Sequence, residues 1–210
     1  MELPRRLQTR EVRGLLNIGL ASILVIASHC LAQQAPPVVE LTVAAGTQPN
    51  TRISNDQVDE ILKSTTTLWK SCGIGFRRNG TVASTVPDRL SVLMESAQMD
   101  ELDANQANVK IVAQIGICKE PDPNNPRSYV IVPGLYDGCT WNGRRSIIVI
   151  RKATLDLDAA VWAHEIGHTF GLPHRETANS LMARYLELVG PNLSLDECRI
   201  ANQAARAPAR

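Results

Sequence analysis

The sequence predicts one α/β domain, and three observations predict it. Runs rich in β-branched residues, such as Val109 to Ile117 and Ser146 to Ile150, read as strands. Capped stretches with an apolar stripe separate or follow them and read as helices. The chain has 210 residues, 44% of them hydrophobic, which suffices for one ordinary core. No internal repeat, coiled coil or long linker divides it. Residues 33–210 are therefore expected to form a single domain behind a separate N-terminal segment, residues 1–32.

That first segment reads as a targeting signal. Arg5, Arg6, Arg10 and Arg13 make a basic start, and Leu15 to Ala27 is mostly apolar. Cys30-Leu31-Ala32 places small residues where a signal peptidase reads, with cleavage before Gln33. Two other readings compete: an uncleaved membrane anchor and lipidation at Cys30. The apolar run is short for a span, which needs about 20 residues, and this favours cleavage without stable membrane insertion.

Val38 to Val43 is the first expected strand. Ser54 opens a helix with Gln57 three residues on, a capping-box pattern. Val58, Ile61, Leu62, Leu68 and Trp69 supply its apolar stripe, and Gly73 ends it. Ile74 to Arg77 follows as a short strand. Segment 88–102 leans toward helix, and Val109 to Ile117 is strand. Lys119 to Ser128 is rich in Pro and Asn and reads as a loop, Tyr129 to Val132 as a short strand, and Gly134 to Arg145 as a second loop. After the strand at Ser146 to Ile150, Asp156 or Asp158 is expected to cap a long helix. Ser194 opens the last helix, with Glu197 completing another capping box.

Charge excludes some partners. The formal net charge is +1. Loss of residues 1–32 leaves 18 basic against 19 acidic side chains. Neither balance gives an electrostatic case for nucleic acid or an anionic membrane surface. Five cysteines become four without Cys30: Cys72, Cys118, Cys139 and Cys198. An even number in an exported chain suggests two disulfides with three possible connectivities.

The chemistry lies in His164 to His174, HEIGHTFGLPH, a pattern of H-E-x-x-H-x-x-G-x-x-H. On a helix, His164 and His168 project from one face a single turn apart, the spacing at which two imidazoles share a zinc ion. Gly171 can take the positive φ that ends the helix, so that the chain returns His174 as a third ligand. Three protein ligands leave the fourth zinc position open, as in a catalytic site. Glu165 stands beside the first ligand without occupying a metal position. Protonated imidazoles cannot bind, so acid is expected to release the metal.

This signature resembles the metzincin superfamily of zinc endopeptidases, which adds a downstream Met-turn. Asn179-Ser180-Leu181-Met182 resembles that turn, with Met182 as a hydrophobic floor under the imidazoles. Arg175, the residue after the third histidine, carries none of the usual subfamily marks, so the resemblance is to the superfamily, with a matrixin-like layout. A Tyr approaches the metal two residues beyond the Met in some relatives. Tyr185 here is three beyond and reads instead as a surface or buried tyrosine.

The resemblance implies a twisted, mostly parallel sheet with an antiparallel edge strand at Tyr129 to Val132. It also implies two long helices and a small C-terminal part. An extended peptide or protein substrate would add to the edge as another strand. The implied activity is an exported zinc endopeptidase in which Glu165 activates a zinc-held water. Two rival readings are a zinc-binding module without proteolytic activity and a hydrolase of a non-protein amide. Glu165 argues against the first, and the second stays open. No pro-domain is visible: only about five residues separate Gln33 from the first strand. On this layout Cys118 and Cys139 flank the passage above the cleft, while Cys72 ends the first long helix and Cys198 lies on the last. The favoured pairings are Cys118–Cys139 and Cys72–Cys198.

Overall fold

The computed structural model of the protein describes residues 35–122, 124–140, 146–185 and 189–207. The expected signal segment, residues 1–32, lies outside the described residues. Strands β1 (Val38–Leu41) and β2 (Val43–Ala45) come first, then helix α1 (Asn55–Leu68). Next are β3 (Gly75–Arg78), β4 (Val92–Leu93), α2 (Ser96–Asp103), β5 (Val109–Val112), β6 (Gln114–Asp122) and β7 (Asn125–Tyr136). The last elements are β8 (Gly138–Cys139), β9 (Ile147–Ile150), α3 (Leu155–Thr169) and α4 (Leu195–Arg206).

Pairing is mostly parallel, as expected. β1 runs parallel to β3, β2 to β5, β5 to β9 and β4 to β6. β7 lies antiparallel on β6, and β8 antiparallel on β9. β7 ends the order β4-β6-β7, so it is an antiparallel edge strand.

Two single strands of the sequence reading are in fact two strands each. Val38 to Val43 breaks at Thr42, whose N–H and hydroxyl both donate to Asn108 Oδ1 at 2.9 Å. The chain then changes neighbours, from β3 to β5. Val109 to Ile117 breaks at Ala113, where the N–H groups of Ala113 and Gln114 both turn to the Ser91 carbonyl, at 2.7 and 3.1 Å. The segment at 88–102 divides into a 3-10 turn (Asp88–Leu90), β4 and α2.

The expected loop from Lys119 to Ser128 is a β-hairpin instead. β6 continues to Asp122, and β7 starts at Asn125 and runs through Val132 to Tyr136. Cross-strand pairing carries residues of poor β propensity into the ladder. A Ser128 hydroxyl bond to Asp122 and an Asp122 bond to the Asn124 N–H tie the turn. The second expected loop also contains strand, the end of β7 and β8. Its residues 141–145 lie outside the described residues.

The four-stranded sheet, order β2-β5-β9-β8, is covered on both faces, which is why its strands read as continuous apolar runs. Ile111, Ile147 and Val149 face a layer with α1 and α3, including Ile61, Leu62, Trp69 and Trp162. Val112 and Ile148 face the opposite layer with Leu93, Met99 and Leu102. The α1 helix begins with the expected capping box at Ser54. It ends near Trp69, whose indole donates to the Ala163 carbonyl at 3.2 Å. This bond fixes α1 against α3 one residue before His164.

Neither Asp156 nor Asp158 caps α3. Thr154 does, its hydroxyl accepting from the Leu157 N–H. Asp158 is fully buried and does another job: it pairs with Arg151 at 3.0 Å and accepts from the Lys152 N–H at 2.7 Å. The helix start is thereby locked to the end of β9. Burial pushes the Asp158 carboxyl up, against the opposing pull of Lys152 and Arg151.

Two disulfides brace the molecule. Cys72–Cys198 has a Cα separation of 4.8 Å and Cys118–Cys139 one of 5.8 Å. The first joins the 3-10 turn after α1 (Lys70–Cys72) to α4, where Asn202 also donates to the Cys72 carbonyl at 2.7 Å. Serine at both 72 and 198 opens a loop of 126 residues. The double substitution is expected to cost roughly 3–5 kcal/mol. Denaturant unfolding of the oxidised parent and the variant checks this; coincident curves would contradict it.

Candidate metal centre

The metal-binding pattern lies on the best-buried helix. Apart from Ala160, residues 158–168 of α3 are buried, so His164, Glu165 and His168 are rooted in the core. Gly171 ends the helix with φ +87°, and the chain turns back through Pro173 to His174. The possible ligand atoms of His164, His168 and His174 all lie within 4.8 Å of one another.

The ring orientations test whether a metal fits. His164 Nδ1 lies 2.9 Å from the Leu181 carbonyl oxygen and His168 Nδ1 2.8 Å from that of Leu172. A carbonyl only accepts, so each Nδ1 carries the proton and donates. Each Nε2 is left with a lone pair turned inward. His168 Nε2 is 3.1 Å from His164 Nε2 and 3.2 Å from His174 Nε2. Tetrahedral zinc with bonds of about 2.0–2.1 Å separates its ligands by roughly 3.3 Å. The donor set, its spacing and the outer hydrogen bonds that fix the tautomers therefore suit zinc.

Packing beneath the histidines is tight. Met182 is fully buried. A Cβ at Gly167 would stand 2.3 Å from the Met182 sulfur. The absence of a side chain at 167 thus lets the methionine reach the helix between His164 and His168. Asn179, with φ +64°, shapes the approach to this turn. The two chain segments of the site also hold each other. Arg175 N–H donates to Met182 at 2.7 Å, and Arg184 N–H to Arg175 at 3.3 Å. Arg175 further pairs with Glu197 of α4 at 2.8 Å. Glu197 completes the α4 capping box, and its bonds to Ser194 and Arg175 hold its carboxyl low despite burial.

The histidines line a cleft of about 750 Å³. Lys119 and Glu120 of β6 and Leu135 to Gly138 border it on one side, Ala183 to Tyr185 on another. Tyr185 is exposed on this rim. The expected substrate strand, Tyr129 to Val132, pairs with Cys118 to Pro121, one strand out from the β6 residues that line the cleft.

The sequence reading missed several residues here. A Cβ on Gly138 would lie 2.5 Å from Glu165 Cγ and 2.6 Å from Oε1, so only glycine lets β8 close on the carboxylate. Thr140 also lines the cleft. Nothing local in Asp137-Gly138-Cys139-Thr140 announces either contact, because both arise from tertiary packing. Tautomer-fixing carbonyls are equally silent in sequence, since any residue supplies one.

Burial dominates the electrostatics. It lowers His164, takes His168 to about 3 and His174 to about 4, with the neighbouring histidines adding to the fall in the last two. It raises Glu165 to about 8, with Thr140 opposing and Asp137 assisting the rise. In metal-free protein these shifts give two opposed limbs. Between 6.5 and about 3 the unfolded chain takes up protons that the folded histidines refuse, so stability falls as pH falls. Between 4.5 and about 8 the folded chain retains a proton on Glu165 that the unfolded chain loses, so that contribution disappears as pH rises. Thermal melts of metal-free Glu165→Gln should lack the second limb, and melts with all three histidines changed to Ala should lack the first. Profiles parallel to the parent would contradict the assignment.

The Matrixin peptidase family matches residues 139–201, which include the three histidines, Glu165 and Met182. Archaemetzincin from Methanopyrus kandleri is a similar solved structure, with a TM-score of 0.47 and 15% identity over 83% of this chain and 98% of that one. Metalloproteinase-II from Bacteroides fragilis has a TM-score of 0.44 and 15% identity over 81% of this chain; the match spans 53% of that longer chain. No curated protein matches. The family match and the metal-holding geometry fall on the same stretch of this chain: residues 139–201 contain the three converging histidines.

Proposed function

We propose that the protein is an exported endopeptidase in which Glu165 moves the proton. The observation that carries this reading is the convergence of three imidazole Nε2 atoms with a buried carboxyl lining the same cleft. His164, His168 and His174 hold the metal. When bound, zinc supplies a Lewis acid toward water and the scissile carbonyl. Glu165 takes a proton from the attacking water and passes it to the leaving amine. Its burial excludes bulk solvent, and a nearby cation would draw its raised pKa back down. Met182 serves as an apolar floor that fixes the helix without ligating.

β7 ends the strand order β4-β6-β7, and an extended peptide adding beside it as a further strand is the binding mode this reading favours for a protein or peptide substrate. Export is supported by the basic-then-apolar start of the chain and by the two disulfides, which persist in oxidising compartments. No helix among the described residues is long and apolar enough to cross a membrane.

Elemental analysis of protein purified without added metal is expected to find about one zinc per chain. The triple His→Ala variant should have none, and stoichiometric zinc in that variant would contradict the ligand assignment. Glu165→Ala should retain zinc while hydrolysis of a peptide library falls roughly 100- to 10,000-fold. Parental rates in that variant would remove Glu165 from the mechanism. Met182→Leu roughly keeps the volume and should cost less than about 1.5 kcal/mol with zinc retained. Complete zinc loss in Met182→Leu would instead make the sulfur a ligand.

A further inference from the structure

Gly138, Cys139 and Thr140 form a short wall beside Glu165, and each contributes differently. Gly138 brings bare backbone against the Glu165 side chain. Cys139 is buried and bonded to Cys118 of β6, so the wall is anchored to the strand that borders the cleft. Thr140 lines the same cleft as Glu165, and its hydroxyl opposes the rise that burial imposes on the Glu165 carboxyl. Thr140 Oγ1 and Glu165 Oε2 are both sealed from solvent, and neither has a hydrogen-bond partner among the described residues. Two buried polar atoms left in that state are costly unless they serve each other. A carboxyl that takes and returns a proton also has to be held in one orientation, because a small misplacement weakens transfer.

We propose that Thr140 is a positioning residue for Glu165, its hydroxyl bonding to the carboxyl while Gly138 and the Cys118–Cys139 bond fix the wall that carries it. Gly138 limits how far the side chain can move, and Thr140 selects its orientation. The methyl group of Thr140 does not take part, so serine should substitute and valine should not.

The kinetic arm of the test rests on the peptidase reading; the stability arm does not. In zinc-loaded protein, Thr140→Val should lower kcat roughly tenfold to a hundredfold, the loss of a bond to a charged group, with KM and zinc content little changed. Thr140→Ser should restore most of kcat. In metal-free protein, the melting-temperature losses of Thr140→Val and Glu165→Ala should be non-additive in the double variant, as for side chains in contact. Parental kcat in Thr140→Val, equal damage by serine and valine, or additive melting shifts would each overturn the proposal. If the zinc-loaded parent cleaves no peptide, the peptidase reading falls, and the melting cycle alone decides whether Thr140 holds Glu165.

Discussion

A close approach of two chain segments underlies the whole centre: the Met182 thioether lies against the bare backbone of Gly167. That contact needs a glycine in the interior of a helix, where it costs roughly 0.5–1 kcal/mol relative to alanine. The return is positional. With the turn drawn up to the helix, the Leu181 carbonyl comes within 2.9 Å of His164 Nδ1 and sets which nitrogen faces the cleft. The same turn supplies Met182 as acceptor to the Arg175 N–H. Arg175 follows His174, so one packing contact disciplines both ends of the histidine cluster.

Arg175 shows how a residue beside a histidine of the candidate metal centre can have a purely architectural task. Its side chain reaches Glu197, whose carboxylate also closes the α4 capping box. Turn, helix cap and third histidine are thus mechanically joined. The half-exposed Arg175 contributes little to stability as an ion pair. Its value lies in geometry, because the partner carboxylate is buried and already committed to a second hydrogen bond.

Legibility in the sequence followed the range of the forces involved. The ligand spacing, the Gly171 turn and the Ser54 and Ser194 caps are all local, and all are found where short-range reasoning places them. Reasoning of that kind failed where distant groups decide. Asp158 has a good capping side chain, yet Arg151 and Lys152 claim it for the core and leave the cap to Thr154. The Pro- and Asn-rich stretch after Lys119 became hairpin because β6 and β7 pair over most of their length. Gly138 and Thr140 acquire meaning only once β8 is laid against α3. The kinks at Thr42 and Ala113 depend on Asn108 and Ser91, partners that no periodicity reveals.

The bond between Cys72 and Cys198 spans 126 residues and therefore constrains the order of events during biogenesis. It cannot close until synthesis has passed residue 198, by which time every histidine of the centre has been made. Parallel strand pairing adds further long-range closures, which are slow compared with helix formation. Helices α1 and α3 can form early, but the staple that clamps α4 beneath them comes last. The Cys72–Cys198 bond itself forms only in an oxidising medium. A chain held in reducing surroundings would carry all three histidines on a scaffold without that covalent tie.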